Sequence, residues 1–163
     1  MFERHPRPER PGIVEGYGVH RDEAGLLDWA YVDERMEASR NYWISTTRPD
    51  GRPHAAPVWG VWFEGVIYFG TARDSRKARN LRANPEMVVH LESGDDCVIL
   101  EGVAQEVEDS SLRRRVGRAY AAKYGLDAVG EAGASPLYAL RPRVALAWRE
   151  SDFPVSATRW RPG

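Results

Sequence analysis

The sequence has 163 residues, of which 29% are charged and 42% hydrophobic, and its formal net charge is −1. These values are ordinary for one globular domain and exclude a strong overall field that would attract nucleic acid or an anionic membrane. No apolar run approaches the roughly 18 residues that span a bilayer, and the N-terminus lacks the apolar region of a secretory signal. Because Cys97 is the only cysteine, an internal disulfide is excluded. We therefore expect a cytoplasmic protein with no nucleic-acid or membrane partner.

The chain divides into an arm, a domain and a tail. Residues 1–24 are rich in proline, glycine and charge, which predicts an extended or disordered N-terminal arm. The domain is expected over residues 25–150, and residues 151–163 form a C-terminal tail. The first element of the domain is a helix, because the apolar residues between Leu26 and Met36 recur with a helical period.

Six strands are predicted after this helix, from runs of β-branched and aromatic residues that are separated by turn signals. They cover residues 42–47, 54–63, 66–70, 87–91, 97–107 and 137–148. Arg141-Pro142 is a candidate break in the last one. Tight reversals between the strands, such as the one at Asp50-Gly51, imply antiparallel pairing. The strand pattern therefore predicts a small antiparallel barrel with flanking helices.

Two more helices are predicted between strands. One runs from Ser75 to Ala83, with Asp74 or Ser75 as its N-cap. The other runs from Ser110 to about Tyr124. After it, residues 126–135 are small and polar, which predicts a loop.

The start of the helix at Ser75 carries charges that oppose its dipole. A helix N-terminus favours acidic residues, yet this one has Arg73, Arg76, Lys77 and Arg79. Lys77 is conspicuous because Lys123 is the only other lysine among 23 basic residues. An anion bound among these groups would relieve the repulsion, and free N–H groups at a helix start bind phosphate well. The alternative is a solvated basic helix face.

Other chemistry has little support in the sequence. The four histidines (His5, His20, His54 and His90) and Cys97 lack the spacing of metal ligands, so no metal site is expected. Cys97 lies in an apolar strand and is interpreted as a core residue. No nucleophile elbow, Walker A motif or dinucleotide fingerprint is present. Catalytic residues are therefore not identified.

The order of motifs resembles one known family. The turn Pro-Asp-Gly-Arg-Pro (49–53), the motif His-x-x-Pro-Val-Trp (54–59), a strand, and then Ser-Arg-Lys-Ala-Arg-Asn-Leu (75–81) follow one another. This order is similar to that of the pyridoxamine 5'-phosphate oxidase-like split barrels, which bind FMN or the deazaflavin F420. The likeness covers residues 42–107 and extends more loosely to Trp148. It implies a mainly β (α+β) fold, a six-stranded antiparallel split β-barrel with flanking helices.

The resemblance also implies a cofactor site. The cofactor phosphate would contact Ser75, Arg76 and Lys77, with Thr71 adding a hydroxyl group. Five residues of the second strand would line the cofactor ring, with no acid–base role assigned to any of them: His54, Ala55, Pro57, Val58 and Trp59. Arg159, Trp160 and Arg161 are candidates for a substrate-side lid that reaches the site of a neighbouring subunit.

The function implied by the resemblance is that of an oxidoreductase. It would transfer hydride between FMN or F420 and a small organic substrate, in a homodimer with the cofactor at the interface; the sequence does not separate the two cofactors. Vitamin B6 oxidation is not predicted, because the arginine-bearing end of that enzyme is matched only faintly. One alternative is a non-catalytic flavin- or haem-binding module, with His54 or His90 as axial ligand. The other is an interaction domain with an empty barrel, whose basic cluster meets an acidic partner surface.

Overall fold

The computed structural model describes residues 5–125 and 135–162. The loop predicted over residues 126–135 lies, apart from its last residue, outside this range. Helix α1 (Trp29–Ala38) comes first, as the helical period predicted, and it buries Trp29, Val32 and Met36.

Eight antiparallel strands form one curled sheet. They are β1 (Tyr42–Thr47), β2 (Pro53–Val58), β3 (Val61–Phe63), β4 (Val66–Gly70), β5 (Glu86–His90), β6 (Asp96–Glu106), β7 (Leu137–Arg149) and β8 (Thr158–Trp160). Their order is β2-β1-β5-β6-β7-β4-β3, and β8 pairs with β7. The consecutive strands β2 and β3 thus end up at opposite edges, which curls the sheet into a split barrel. The predicted fold class is confirmed.

The prediction of six strands is wrong in number, because the strand predicted over residues 54–63 is two strands. The chain leaves β2 at Trp59 and enters β3 after Gly60. A Cβ on Gly60 would lie 2.8 Å from the carbonyl oxygen of Tyr68 and 3.1 Å from the side chain of Ile67. The backbone therefore approaches β4 at a distance that only glycine allows.

The end of the sheet also differs from the prediction. β7 continues through the candidate break, because a register shift between Glu101 and Gly102 of β6 places Gly102 opposite Pro142. Such a bulge accommodates a proline, which has no N–H to donate to the ladder. The eighth strand was not predicted at all: Thr158–Trp160 pairs with β7 at Ala145–Ala147.

Three helices pack on the sheet: α2 (Arg76–Ala83), α3 (Ser110–Tyr124) and the short α4 (Phe153–Ser156). Ser75 caps α2 and Asp109 caps α3, each by accepting a backbone N–H from three residues further on. The main core fills the barrel interior, and α3 covers a second cluster on the outer side of β3 and β4. Within the described ranges, no helix is long and apolar enough to cross a membrane.

The described part of the N-terminal arm lies along the C-terminal segment. Glu9 forms a β-bridge with Arg159. The guanidinium of Arg10 donates to the carbonyl oxygens of Asp22, Ala24, Val155 and Ala157. Backbone and side-chain bonds therefore hold this stretch against the segment that leads into β8.

Candidate functional site

The start of α2 gathers the residues that the sequence predicted for phosphate. Ser75 Oγ accepts from the N–H of Ala78 at 3.2 Å and from the Thr71 hydroxyl at 3.0 Å. Arg76 and Lys77 are the first two residues of the helix, so their backbone N–H groups have no acceptor inside it. Their side chains are partly buried. Among the ion pairs of the described residues, neither of them has a carboxylate partner.

The β1–β2 hairpin brings two further nitrogen-bearing side chains to this helix start. Burial lowers the pKa of His54, and the positive charges of Arg48, Lys77 and Arg76 lower it further. Arg48 Nε and His54 Nδ1 are buried, and neither has a hydrogen-bond partner in the described structure. Four basic side chains therefore meet, and two of their buried nitrogen atoms lack a partner.

The carboxylate on the same turn is bound elsewhere. Asp50 accepts hydrogen bonds from the backbone and side chain of Arg52, and the two side chains form an ion pair at 2.8 Å. These bonds lower the pKa of Asp50 and keep it ionised beside Arg52. The charges of Arg48 and Arg76 lower the pKa of Asp50 further, but among the described residues its ion pair is with Arg52. One carboxylate therefore lies near three cations, and the cluster of Arg48, Arg76 and Lys77 keeps a net positive charge.

This donor set fits a phosphate group. Guanidinium groups bind phosphate through two parallel hydrogen bonds, and a lysine adds a compact charge. The Ser75 hydroxyl accepts from Thr71 and from the N–H of Ala78 and keeps its own proton as a donor, whereas the Thr71 hydroxyl already donates to Ser75. The free N–H groups at the helix start supply further donors. Arg48 was missed in the sequence because it lies in a turn, and only the hairpin brings it to α2.

The predicted ring-lining residues lie on two faces of β2. Ala55 and Pro57 point outwards, on the face that carries Trp43, whereas His54 and Val58 point towards the barrel interior. Among the described strands β2 pairs only with β1, so its other side is a sheet edge within that part of the chain. A flat ring that lies against one face of this strand would contact only one of the two pairs.

Trp59 packs against α3. Its ring stacks on Tyr124 with centroids 4.6 Å apart, and the Arg40 guanidinium lies 5.1 Å from the ring centre. Tyr120 packs beside this stack. The indole therefore packs the end of β2 against α3.

The three C-terminal candidates have different surroundings. Trp160 is fully buried and packs edge-to-face on Trp29, with ring centroids 5.6 Å apart. Its side chain lies in the core, and we do not propose a lid role for it. Arg159 and Arg161 both pair with Glu9, at 2.8 and 3.2 Å. Their substrate-side role stays a prediction.

No group of three metal-ligating side chains occurs in the part of the chain that the structure describes. Cys97 is buried, and burial raises the pKa of its thiol to about 11. It therefore remains protonated at neutral pH and acts as a small core residue.

Comparison with known proteins agrees with this architecture. Rv2991, a conserved hypothetical protein from Mycobacterium tuberculosis, shares 27% identity and a TM-score of 0.67, over 79% of this chain and 88% of the other. HutZ, a haem storage protein from Vibrio cholerae, shares 22% identity and a TM-score of 0.60, over 69% and 88%. A protein described as an F420 reductase shares 20% identity and a TM-score of 0.57, over 69% and 94%. The last two likenesses concern the fold alone.

Among curated protein sequences, none matches this chain significantly. The family model described as pyridoxamine 5'-phosphate oxidase matches residues 30–149, which run from α1 to the end of β7. The cluster of donor groups at the start of α2 and all the strands except β8 lie within the matched residues. The chain therefore belongs to the pyridoxamine 5'-phosphate oxidase family.

Proposed function

We propose that the protein binds FMN or the deazaflavin F420 and transfers hydride between this cofactor and a small organic substrate. The observation that carries the proposal is the cluster of the cations Arg48, Arg76 and Lys77 with His54 at the start of α2, in which two buried nitrogen atoms have no hydrogen-bond partner among the described residues. Family membership supports the choice of a flavin-type ligand. The name of the similar F420 reductase supports the deazaflavin as one of the two candidates.

The residues at the start of α2 have separate tasks in this proposal. Arg76 and Lys77 hold the phosphate with the free N–H groups of the helix start. Thr71 and Ser75 fix the turn, because their hydroxyl groups already bond to each other and to the helix. The cofactor supplies the hydride chemistry. The chain binds and orients the cofactor along β2.

A homodimer completes the proposed site. The outer face of β1, β5, β6 and β7 carries Trp43, Val88, Ile99 and Leu146, which are all partly exposed. Apolar patches of this kind are typical of subunit interfaces. We propose that a second copy covers this face, which would place the outer side of β2 beside the neighbouring subunit.

Absorption spectroscopy tests the proposal directly. Titration of the full chain with FMN and with F420 should give saturable binding of one of them. Lys77→Ala removes a hydrogen bond between charged groups and should raise the dissociation constant roughly 10- to 150-fold, which corresponds to about 1.5–3 kcal/mol. Binding of neither cofactor would refute the proposal.

Arg79→Ala is the matched control. Arg79 lies on the same helix, is exposed, and carries the same charge as Lys77. Its loss should change the dissociation constant by less than about threefold, since exposed charges act weakly through solvent. Equal losses of affinity in the two variants would show that the phosphate does not bind at the helix start.

Haem binding is a second candidate, and one observation favours His90 over His54 as its ligand. His90 stacks flat on Trp43, with ring centroids 6.3 Å apart, and its Nδ1 lies 2.8 Å from the carbonyl oxygen of Leu91. A hydrogen bond from Nδ1 to a carbonyl is the usual arrangement when Nε2 binds a metal. A haem absorption band that His90→Ala abolishes would support this candidate in place of the flavin.

A further inference from the structure

Lys123 is the second of the two lysines, and its amine lies in an unusual setting on α3. Its Nζ donates to the hydroxyl oxygen of Tyr42 at 2.7 Å and to the carbonyl oxygen of Gly60 at 3.1 Å. Among the ion pairs of residues 5–125 and 135–162, Lys123 has no carboxylate partner. The residue is partly exposed, so solvent reaches part of its side chain.

The hydrogen bonds around Lys123 match a neutral amine. The Tyr42 hydroxyl donates its proton to the carbonyl oxygen of Met36, so towards Nζ it is an acceptor only. Gly60 contributes a carbonyl oxygen, which is also only an acceptor. A neutral amine has two N–H groups and one lone pair. Its two donors are satisfied by these two acceptors, and the lone pair is left for chemistry.

The surrounding groups decide the charge of this amine. Burial lowers the pKa of Lys123 to about 8. The rings of Tyr42 and Tyr124 lie 4.7 and 5.3 Å from Nζ and favour the ammonium form to a smaller degree. Both hydroxyl groups stay protonated at pH 8, since burial raises the pKa of each.

Two charged groups lie at the edge of this aromatic pocket. The Arg40 guanidinium lies 5.6 Å from the centre of the Tyr124 ring, and its positive charge opposes protonation of the amine. The Glu37 carboxylate acts on Tyr42, on the side of α1. The two charges have opposite signs, so the loss of solvation remains the main influence on the amine.

We propose that Lys123 is a nucleophilic amine that small acyl phosphates acylate selectively. The nitrogen lone pair attacks the acyl carbon and forms a C–N bond, while the bond from that carbon to the phosphate oxygen breaks. Phosphate leaves with the electron pair, and the nitrogen releases one proton to solvent. The resulting amide has one N–H, so it cannot serve both Tyr42 and Gly60. Acylation therefore releases one of the two contacts that tie α3 to β1 and to the corner beside Trp59.

Acetyl phosphate is the probe for this site. At pH 8, a pKa of about 8 leaves about half of the amine neutral, against about 0.4% for an ordinary lysine. We expect mass spectrometry of the peptides to show Lys123 acetylated at least about tenfold faster than Lys77. The N-terminal amine is quantified separately. Lys77 is a strict comparison, because the positive charges around it attract acetyl phosphate and should speed its acetylation.

Three controls make the result decisive. In a high concentration of guanidinium chloride, the selectivity for Lys123 should disappear, since it depends on the folded surroundings. Acetyl N-hydroxysuccinimide ester, an uncharged reagent, should reproduce the selectivity. The rate at Lys123 should level off above pH 8.5, because the amine is then mostly neutral. Acetylation of Lys123 at or below the rate of Lys77 in the folded chain, or a rate without this plateau, would overturn the proposal.

Discussion

Replacing Arg48 with methionine should change the stability of the protein in opposite directions with and without cofactor. In the cofactor-free chain, Arg48 Nε is buried without a partner in the described structure, and the charges of Arg76 and Lys77 lie nearby. An unsatisfied buried donor costs about 1–3 kcal/mol. Because Arg48 is only partly buried, we take the lower end and expect Arg48→Met to raise the free energy of unfolding by about 1 kcal/mol.

The cofactor should reverse this order. At a concentration of 100 times its dissociation constant, FMN or F420 stabilises the wild-type protein by about 2.7 kcal/mol. Loss of a guanidinium–phosphate contact worth about 2 kcal/mol weakens binding roughly 30-fold, so the same concentration stabilises Arg48→Met by only about 0.9 kcal/mol. The variant should then be about 0.8 kcal/mol less stable than the wild type.

Urea unfolding with and without cofactor measures both quantities. A change of 1 kcal/mol moves the midpoint by about 0.5 M when the slope is about 2 kcal/mol per M. Arg143→Met is the control, because Arg143 lies outside the cluster and forms an exposed ion pair with Glu86. It should move stability by less than about 0.5 kcal/mol in both conditions. An Arg48→Met protein that is destabilised equally with and without cofactor would refute the assignment of Arg48 to the anion site.

Four further changes have defined outcomes. Trp160→Ala should lower the free energy of unfolding by about 3–5 kcal/mol in urea, because the side chain is fully buried; a loss below 1 kcal/mol would contradict its place in the core. Ile99→Asp should convert the proposed dimer to a folded monomer in light scattering, and an unchanged mass would exclude this face as the interface. Sulfate should raise the pKa of His54 in NMR titrations, since an anion favours the imidazolium. Without an anion that pKa is lowered below its ordinary value of 6.5, so the unfolded chain binds more protons and stability rises with pH from the lowered pKa up to that ordinary value. His54→Gln should flatten that rise, and an unchanged slope would contradict it.

Local signals predicted the start of α2 well. A helix cap, a run of basic residues and the first turn lie within a few consecutive positions, so the sequence shows them together. The cap at Ser75 and the placement of Arg76 and Lys77 at the helix start are as predicted. The strand break was harder to detect, although Gly60 was a usable signal, because a glycine inside a strand often marks a close backbone approach.

Long-range partners limited the rest of the prediction. Lys123 and Tyr42 are 81 positions apart, and no local pattern connects them. In the sequence, Trp160 stands between two arginines, and the three residues are candidates for a substrate-side lid. In the structure, those arginines pair with Glu9 while the indole between them enters the core. Successive side chains of a strand point to opposite faces, which explains why the indole of β8 is buried while the flanking arginines are not. Three residues are too few for this alternation to be recognised from the sequence.

The positions of the two lysines suggest why this arginine-rich chain retains them. Lys77, on α2, acts on His54 near the start of β2, and Lys123, on α3, donates to Gly60 just beyond the end of β2. Arginine is effectively always charged, whereas lysine shifts its pKa when it is buried. An arginine in place of Lys123 would bring a permanent charge into a pocket whose two acceptors already satisfy a neutral amine. The requirement at Lys77 is the opposite, because an anion site needs a charge that persists. A chain that otherwise uses arginine thus places its lysines where a small cationic head or a removable proton has a physical use.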